Sequence, residues 1–320
     1  KYGITVEFGN SQPSLIISIF LQNESYQVSS TISYQDKDKI SIFLRKCLSL
    51  YYFNYWKKQT SAGRSASSLS LSGFSTSVVF NSRLSYSEWD FVHRSQSYTL
   101  QVGCRFQKVV VCRRCRGYNE TLAHVVSHCD TLQAYINARH DTVVDILKTE
   151  IQEYCNAELY VNVTCRFVYS TLRVDLQVFF PDRKRIVLID VKCPFDEKEN
   201  LDNANRDNLA KYKPLRDAIK DKYRDHTVLL YTFVVGALGT WIPANSKPLA
   251  AVFLSGREKA IAIASVRSNI RWSARMWKAF CDGRDAHDLS EFRDPKHNPR
   301  DTLLLQEGAV LDEEDSVDEL

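Results

Sequence analysis

Residues 172–192 read LRVDLQVFFPDRKRIVLIDVK, and this stretch decides the predicted fold. Leu172–Phe180 is rich in β-branched, aromatic and alternating apolar residues, which indicates a strand. Pro181–Arg185 has the composition of a turn, and Ile186–Lys192 is a second, almost wholly apolar strand. Because the connection is so short, the two strands are expected to pair as an antiparallel hairpin.

Two acidic side chains and a lysine are expected to converge on this hairpin. If Phe180 pairs with Arg185, Asp175 falls opposite Asp190, and strand alternation puts Lys192 on the same face as Asp190. Neighbouring carboxylates repel each other unless a cation lies between them. Carboxylate oxygens are ligands for Mg²⁺, which lowers the pKa of a bound water and polarises a phosphate. The pattern therefore predicts a Mg²⁺ site with Lys192 beside the reacting phosphate.

A second interpretation treats Asp175 and Asp190 as ordinary solvent-facing residues of a hairpin. Apolar residues on both sides of each acid favour the functional interpretation; they are Val174, Leu176, Ile189 and Val191. The nearby Pro181-Asp182 pair lies in the turn, and its spacing to Asp190 is too short for it to supply the first acid.

The surrounding segments extend the hairpin into a compact α/β domain over residues 140–283. In chain order they predict a helix over 141–154 capped by Asp141, a strand over 159–167, the hairpin, a helix over 203–223, a strand over 227–235 and a helix over 258–280. An order of helix, three strands, helix and strand is typical of a compact α/β domain.

A zinc site is predicted upstream, over residues 109–132. Cys112, Cys115, His124 and Cys129 have the spacing Cys-x2-Cys-x8-His-x4-Cys. Two thiolates two residues apart can hold one ion from a tight turn, and a His and a Cys five positions apart complete the tetrahedron from a short helix. His128 is a rival ligand for either of the last two positions.

Basic residues surround the predicted zinc ligands. Arg113, Arg114 and Arg116 favour contact with nucleic-acid phosphates, although zinc could also serve only to fold about twenty residues. The net charge is +4, but residues 301–320 hold eight acidic residues and no Lys or Arg, which leaves +12 on residues 1–300. This balance is compatible with a nucleic-acid partner.

The rest of the chain carries weaker signals. Residues 1–60 form an N-terminal segment of unclear fold, with strand-like alternation followed by helical spacing. Residues 61–108 contain a Ser-rich linker and a helix that starts with Ser85 as N-cap and Glu88 three residues later. Residues 284–320 are expected to be a flexible acidic tail.

The cysteines and the lengths of the apolar runs indicate the cellular compartment of the protein. The chain has nine cysteines, which are scattered except for one cluster, and no secretory signal. No apolar run approaches the roughly 18–20 residues of a membrane span. These features predict a reducing, intracellular setting without a membrane partner. The only methionine is Met276, so we expect the chain to be a fragment or a truncated gene model.

Taken together, the zinc pattern and the acid pair ending in Asp190-Val-Lys192 resemble the C-terminal half of non-LTR retrotransposon proteins with a restriction-like endonuclease. Further similarity lies at Glu120–Val125, Ser127–Cys129, Gln59–Arg64 and Leu84–Trp89. The resemblance covers roughly residues 45–280. It implies a helical linker and a CCHC zinc knuckle, followed by a nuclease domain of the PD-(D/E)xK fold.

By this resemblance, Asp175 and Asp190 match the two metal-binding acids and Lys192 matches the lysine of the motif. Lys211 and Tyr212 resemble a Lys-Tyr pair with a supporting role on the next helix. The implied cofactors are Zn²⁺ for the knuckle and Mg²⁺ for the nuclease. The implied partners are target DNA and, through the full-length protein, the element's RNA, which a polymerase copies at the nick. A nuclear location is implied as well.

Two features depart from the family pattern. Val174 stands where the family usually has Pro, and no polymerase signature occurs in the chain. A decayed copy, a gene-prediction fragment and a host-adopted derivative therefore remain alternatives. The rival function is a zinc-containing nucleic-acid-binding module that does not cleave.

Overall fold

The computed structural model describes residues 2–8, 15–21, 24–30, 37–58, 68, 84–104 and 109–284. The chain divides into two compact units between Ala66 and Ser67. Most of the predicted Ser-rich linker and, apart from Arg284, the predicted acidic tail lie outside the described residues.

The first unit contains a three-stranded antiparallel sheet and one helix. Strands β1 (Tyr2–Phe8), β2 (Leu15–Leu21) and β3 (Glu24–Ser30) pair in chain order. Helix α1 (Lys37–Lys57) follows. The alternation and the helical spacing of this segment therefore predicted the right element types.

The second unit is built around a four-stranded sheet with the order β4-β5-β6-β7. Its strands are β4 (Glu158–Val161), β5 (Leu176–Phe180), β6 (Arg185–Lys192) and β7 (Thr227–Val234). The first three strands pair antiparallel, and β7 runs parallel to β6. The predicted hairpin and its Phe180–Arg185 register are confirmed.

Helices surround this sheet. They are α2 (Tyr86–Gln96), α3 (Leu122–Ser127), α4 (Gln133–Tyr154), α5 (Lys198–Lys222), α6 (Ser246–Ala251) and α7 (Glu258–Asp282). The capping box predicted at Ser85 and Glu88 is present at the start of α2. None of the described helices is both long and apolar enough to cross a membrane.

Strand β6 is buried on both faces, as its nearly continuous apolar sequence requires. Its residues 187, 189 and 191 pack into a core with α4 and α7, whereas residues 186 and 188 pack against α5. The result is a mixed α/β unit with the sheet between two helical layers, which agrees with the predicted fold class at this level.

Several element boundaries differ from the sequence-based expectation, and α5, predicted to begin at residue 203, begins at Lys198. The helix predicted to begin at Asp141 begins at Gln133, so Asp141 lies inside α4 and does not cap it. This earlier start follows from packing, because Tyr135 and Arg139 are buried against the rest of the unit. The strand predicted over 159–167 is limited to Glu158–Val161, and β5 begins one residue after Asp175.

Side chains from the two predicted domains over 109–132 and 140–283 share one hydrophobic core. The members from the upstream range are Cys112, Leu122, Val125, Val126, Cys129 and Leu132. Helix α3 packs on α7, which belongs to the downstream range. A segment of about twenty residues cannot bury a core of its own, so the upstream segment uses the core of its neighbour.

Substituting Gly236 tests the packing that follows β7. A Cβ at Gly236 would lie 2.2 Å from Oδ1 of the buried Asp196, which accepts the backbone N–H of Thr240 at 2.8 Å. We expect Gly236→Ala to lower the free energy of unfolding by about 1–3 kcal/mol because of overpacking. Urea denaturation followed by circular dichroism measures the change. Gly256→Ala is the matched control, since no atom lies within 4 Å of its added Cβ; equal losses for both variants would contradict this account.

Candidate metal centre and acidic cleft

The four predicted zinc ligands come together in the structure. Cys112 and Cys115 lie in a turn closed by the Val111–Asn119 bridge, and His124 lies on α3. The potential ligand atoms of Cys112, Cys115, His124 and Cys129 all lie within 4.8 Å of one another. Cys115 Sγ is 3.2 Å from His124 Nε2. Three sulfurs and one imidazole nitrogen at this separation fit a tetrahedral ion such as zinc.

The chemistry of these side chains also suits a cation. Burial lowers the pKa of His124, which favours the neutral imidazole that binds metals. Burial and the neighbouring Cys112 and Cys115 raise the pKa of Cys129 to about 11. Without a cation, Cys129 would therefore stay a thiol, and a bound metal would drive its deprotonation.

His128, the rival ligand, lies outside this cluster. It follows α3 as its C-terminal cap, is exposed, and lines the cleft described below. The side chain of Thr121 caps the start of α3 by accepting the N–H of His124 at 3.1 Å. This cap fixes the helix so that His124, one turn before His128, faces the three cysteines.

A buried carboxylate that the sequence analysis missed supports the ligand turn. Glu120 is 2% exposed and accepts the backbone N–H groups of Gly103 at 2.8 Å and Arg113 at 2.9 Å. The guanidinium of Arg113 forms an ion pair with Glu120 at 2.6 Å and lies 4.9 Å from the ring centre of Phe280. Burial raises the pKa of Glu120, but the hydrogen bonds from Arg113 and Gly103 and the charge of Arg113 together outweigh this effect, and the net pKa is lowered.

The three predicted nucleic-acid-binding arginines therefore differ in their surroundings. Arg113 is engaged with Glu120, and Arg114 Nη2 donates to the carbonyl oxygen of Arg284 at 2.7 Å. Arg116 is exposed and has a left-handed backbone with φ of 57°. Their contact with phosphates stays a prediction.

The acid pair opens into a cleft of about 460 Å³. Asp175, Asp190, Lys192 and Tyr212 line one part of this cleft, together with Arg173. The remaining lining comes from the end of α3, from α4, and from residues near β6 and on α5; it comprises Ser127, His128, Ile136, Asn137, Arg139, His140, Cys193, Pro194 and Ala204. The end of the predicted knuckle and the acid pair thus border the same space.

Asp190 is the more buried acid. It is 2% exposed, and its Oδ2 lies 2.7 Å from Lys192 Nζ and 2.5 Å from the donating Nδ2 of Asn208. Lys192 stays 39% exposed, so its ammonium bridges the carboxylate and the open cleft. The predicted proximity of Asp190 and Lys192 is present in the structure.

Asp175 lies just before β5, where the backbone pairing with β6 ends, and its side chain takes up the next backbone hydrogen bond of β6. Its Oδ2 accepts the backbone N–H of Val191 at 2.6 Å and lies 3.3 Å from Nε2 of His140. Burial alone would lower the pKa of His140, but the hydrogen bonds with Asp175 and Asp141 and the negative charges of these two carboxylates together raise it to about 9. Each acid therefore has a cationic neighbour, His140 for Asp175 and Lys192 for Asp190.

Tyr212 and Lys211 take different positions. The Tyr212 hydroxyl lies in the cleft and donates to the carbonyl oxygen of Arg173 at 2.6 Å. Its pKa is raised by burial first and then by the negative charge of Asp190. Lys211 is exposed, and its Nζ donates a hydrogen bond to the Tyr212 hydroxyl at 3.0 Å.

Sequence reasoning missed His140, Asn208 and Arg139, all of which surround the acids. Asn208 precedes Tyr212 by four residues on one helix, and that spacing puts both side chains on one face. This signal was available once α5 had been predicted. His140 and Arg139 carried no comparable signal, because their contacts join segments far apart in the chain.

The donor set around the acids fits a hard divalent cation. Two carboxylates lining one cleft leave room for the several waters that Mg²⁺ usually keeps. Among the described residues, three or more closely spaced His, Cys or acidic side chains occur together only in the Cys/His cluster. The acid pair would offer two protein ligands, a number that suits Mg²⁺ but not a closed structural site.

The chain is distantly similar to a known retroelement protein. No family model matches the chain. The chain is 31% identical over 140 residues to the "Retrovirus-related Pol polyprotein from type-1 retrotransposable element R2" of Popillia japonica. The match covers 42% of this chain and 28% of that protein, so it spans well under two thirds of the relative. This weak homology supports a retroelement origin.

The two histidines allow a direct test of the metal centre. We expect His124→Ala to lose stoichiometric zinc, because His124 Nε2 belongs to the cluster, and we expect His128→Ala to retain it. Zinc content of purified protein, measured by atomic absorption, distinguishes the two variants. Loss of zinc in His128→Ala with retention in His124→Ala would reverse the ligand assignment.

Proposed function

We propose that this chain is a retroelement-derived, Mg²⁺-dependent DNA endonuclease that nicks target DNA by phosphodiester hydrolysis. The observation that carries the proposal is the convergence of Asp175, Asp190 and Lys192 on one open cleft. The distant homology to a retrotransposon Pol polyprotein supports the same origin. In a full-length element protein, a polymerase would use the nick to copy the element's RNA.

Asp175 and Asp190 would hold the Mg²⁺ ion. When bound, the ion supplies charge stabilisation at the scissile phosphate and lowers the pKa of an attacking water. Asn208 keeps the Asp190 carboxylate in place through its 2.5 Å hydrogen bond, and the Val191 N–H does the same for Asp175. The two acids therefore enter the cleft with little rotational freedom, as an efficient site requires.

Lys192 would act on the substrate directly. Its ammonium is partly exposed and lies 2.7 Å from Asp190, so it can reach both a phosphate oxygen and a water held near that acid. A fixed cation at this point stabilises the negative charge that develops on the phosphate. Tyr212 lines the cleft beside it, and Lys211 supports the Tyr212 hydroxyl from outside.

The zinc knuckle would help to hold the nucleic acid. The end of α3 borders the cleft, and Arg116 is exposed on the same segment of the chain. Exposed guanidinium groups contribute salt-dependent, sequence-independent affinity for phosphates. Acting on chromosomal target DNA would place the protein in the nucleus.

A second candidate function is nucleic-acid binding without cleavage. It is favoured by the cationic neighbours of the two acids, because Lys192 and His140 already balance their charge. In that case the acid pair would be a structural ion-pair network, and the basic surface would still bind phosphates.

Plasmid nicking distinguishes the two functions. With supercoiled plasmid and Mg²⁺, we expect the wild-type chain to produce open circles. Asp175→Ala, Asp190→Ala and Lys192→Ala should each lower the rate by at least about 100-fold, which corresponds to roughly 3 kcal/mol of lost transition-state stabilisation. Asp182→Ala is the matched control, because Asp182 lies in the exposed turn of the same hairpin.

Equal nicking by the wild type and the three site variants would refute the nuclease assignment. If no cleavage occurs in Mg²⁺ or Mn²⁺ while DNA binding weakens steeply with salt, the binding function is the correct one.

A further inference from the structure

Arg139 is a buried cation between the predicted knuckle and the acid pair. It is 1% exposed, and it lies on α4, two turns after the helix begins. No ion pair to Arg139 occurs within the described parts of the chain. Its Nε, also buried, has no hydrogen-bond partner there. Burial lowers its pKa. A charged group in such a place is costly, and a well-packed apolar residue would often be at least as stable.

The guanidinium joins three separate segments. Nη1 donates to the carbonyl oxygen of Val126 at 2.9 Å and to Oγ of Ser273 at 2.9 Å. Nη2 donates to the carbonyl oxygen of Cys193 at 3.0 Å. Val126 belongs to α3, Ser273 belongs to α7, and Cys193 directly follows Lys192 at the end of β6.

The position of the Val126 carbonyl, the acceptor on α3, is linked to the Cys/His cluster. Val126 lies between His124 and Cys129, two of the four predicted ligands. Helix α3 has six residues, which is too short to be stable without tertiary contacts. When the four ligands converge on an ion, the Val126 carbonyl is held in place; when they do not, this restraint is weakened.

The segment after β6 that carries the second acceptor, the Cys193 carbonyl, is also held by backbone hydrogen bonds on either side of it. The carbonyl of Lys192 accepts the N–H of Val235 at 3.0 Å, and that of Pro194 accepts the N–H of Ala237 at 2.8 Å. These bonds tie the segment to β7 and the loop after it. Arg139 supplies a further bond from α4, to the carbonyl oxygen of Cys193, the residue that follows Lys192.

We propose that Arg139 is a positioning residue through which the metal-loaded knuckle fixes the end of β6, and thereby the divalent-cation site of the acid pair. This inference rests on the proposed function. It makes the knuckle a structural part of the nuclease site in addition to any contact with nucleic acid. Coupling of this kind is reciprocal, so each metal should strengthen binding of the other.

Calorimetric titration of the zinc-loaded full chain with Mn²⁺ tests the proposal, with Asp190→Ala to subtract binding elsewhere. We expect Arg139→Gln to weaken Mn²⁺ binding by roughly 10- to 100-fold, the range typical for residues that support metal ligands indirectly. Arg139→Lys, which keeps the charge, should restore part of the affinity.

Arg257→Gln is the matched control for general destabilisation. Arg257 pairs with the buried Glu150 at 2.9 Å, away from the cleft, so its loss should lower the melting temperature without changing Mn²⁺ affinity. If Arg139 had a merely structural role, Arg139→Gln would behave in the same way as Arg257→Gln.

The zinc-free variant Cys129→Ser completes the design. It should weaken Mn²⁺ binding in the wild-type background and have little further effect in Arg139→Gln. Should Arg139→Gln fail to fold, the effect of Cys129→Ser alone decides. Unchanged Mn²⁺ affinity in Cys129→Ser overturns the role of Arg139. Absence of any Mn²⁺ binding in the wild type beyond that of Asp190→Ala instead contradicts the nuclease site itself.

Discussion

A carboxylate inside a strand that is buried on both faces is the constraint on which the rest of this unit depends. Burying an unpaired charge costs several kcal/mol, so Asp190 requires polar neighbours. Lys192 supplies one from the same strand, and Asn208 supplies another from α5. Asp190 lies near the C-terminal end of β6, where the cleft opens, and Tyr212 on α5 lines this cleft.

The upstream segment that carries the Cys/His cluster is linked to this cleft by packing as well as by sequence. Its apolar residues share a core with α4 and α7, and α4 begins directly after the short helical turn Asp130–Leu132. The consecutive residues Arg139 and His140 then contact backbone carbonyls at the end of β6. The first two turns of α4 therefore lead from the segment after Cys129 to His140, which contacts Asp175, so the end of the predicted knuckle borders the same space as the acids.

Local pattern predicted the parts of the site that lie within one segment. The hairpin register followed from the turn and from strand alternation, and the Cys/His cluster followed from ligand spacing. The sequence did not reveal the supporting residues, such as Glu120 under the ligand turn and His140 beside Asp175. These residues acquire their roles only when distant segments pack, and no periodic pattern encodes such contacts. For the same reason the start of α4 was predicted eight residues late.

The departure from the family pattern at Val174 falls on a packing position. Val174 is 1% exposed and belongs to the apolar cluster formed with α5, in which Leu215 and Ile219 are buried. An apolar side chain of moderate size fills this position, so replacing Pro with Val changes backbone preference more than packing. The neighbouring Asp175 is held through its own side chain, by the Val191 N–H and His140. The position of the first acid therefore depends on contacts of the Asp175 side chain itself, and the substitution at residue 174 is compatible with them.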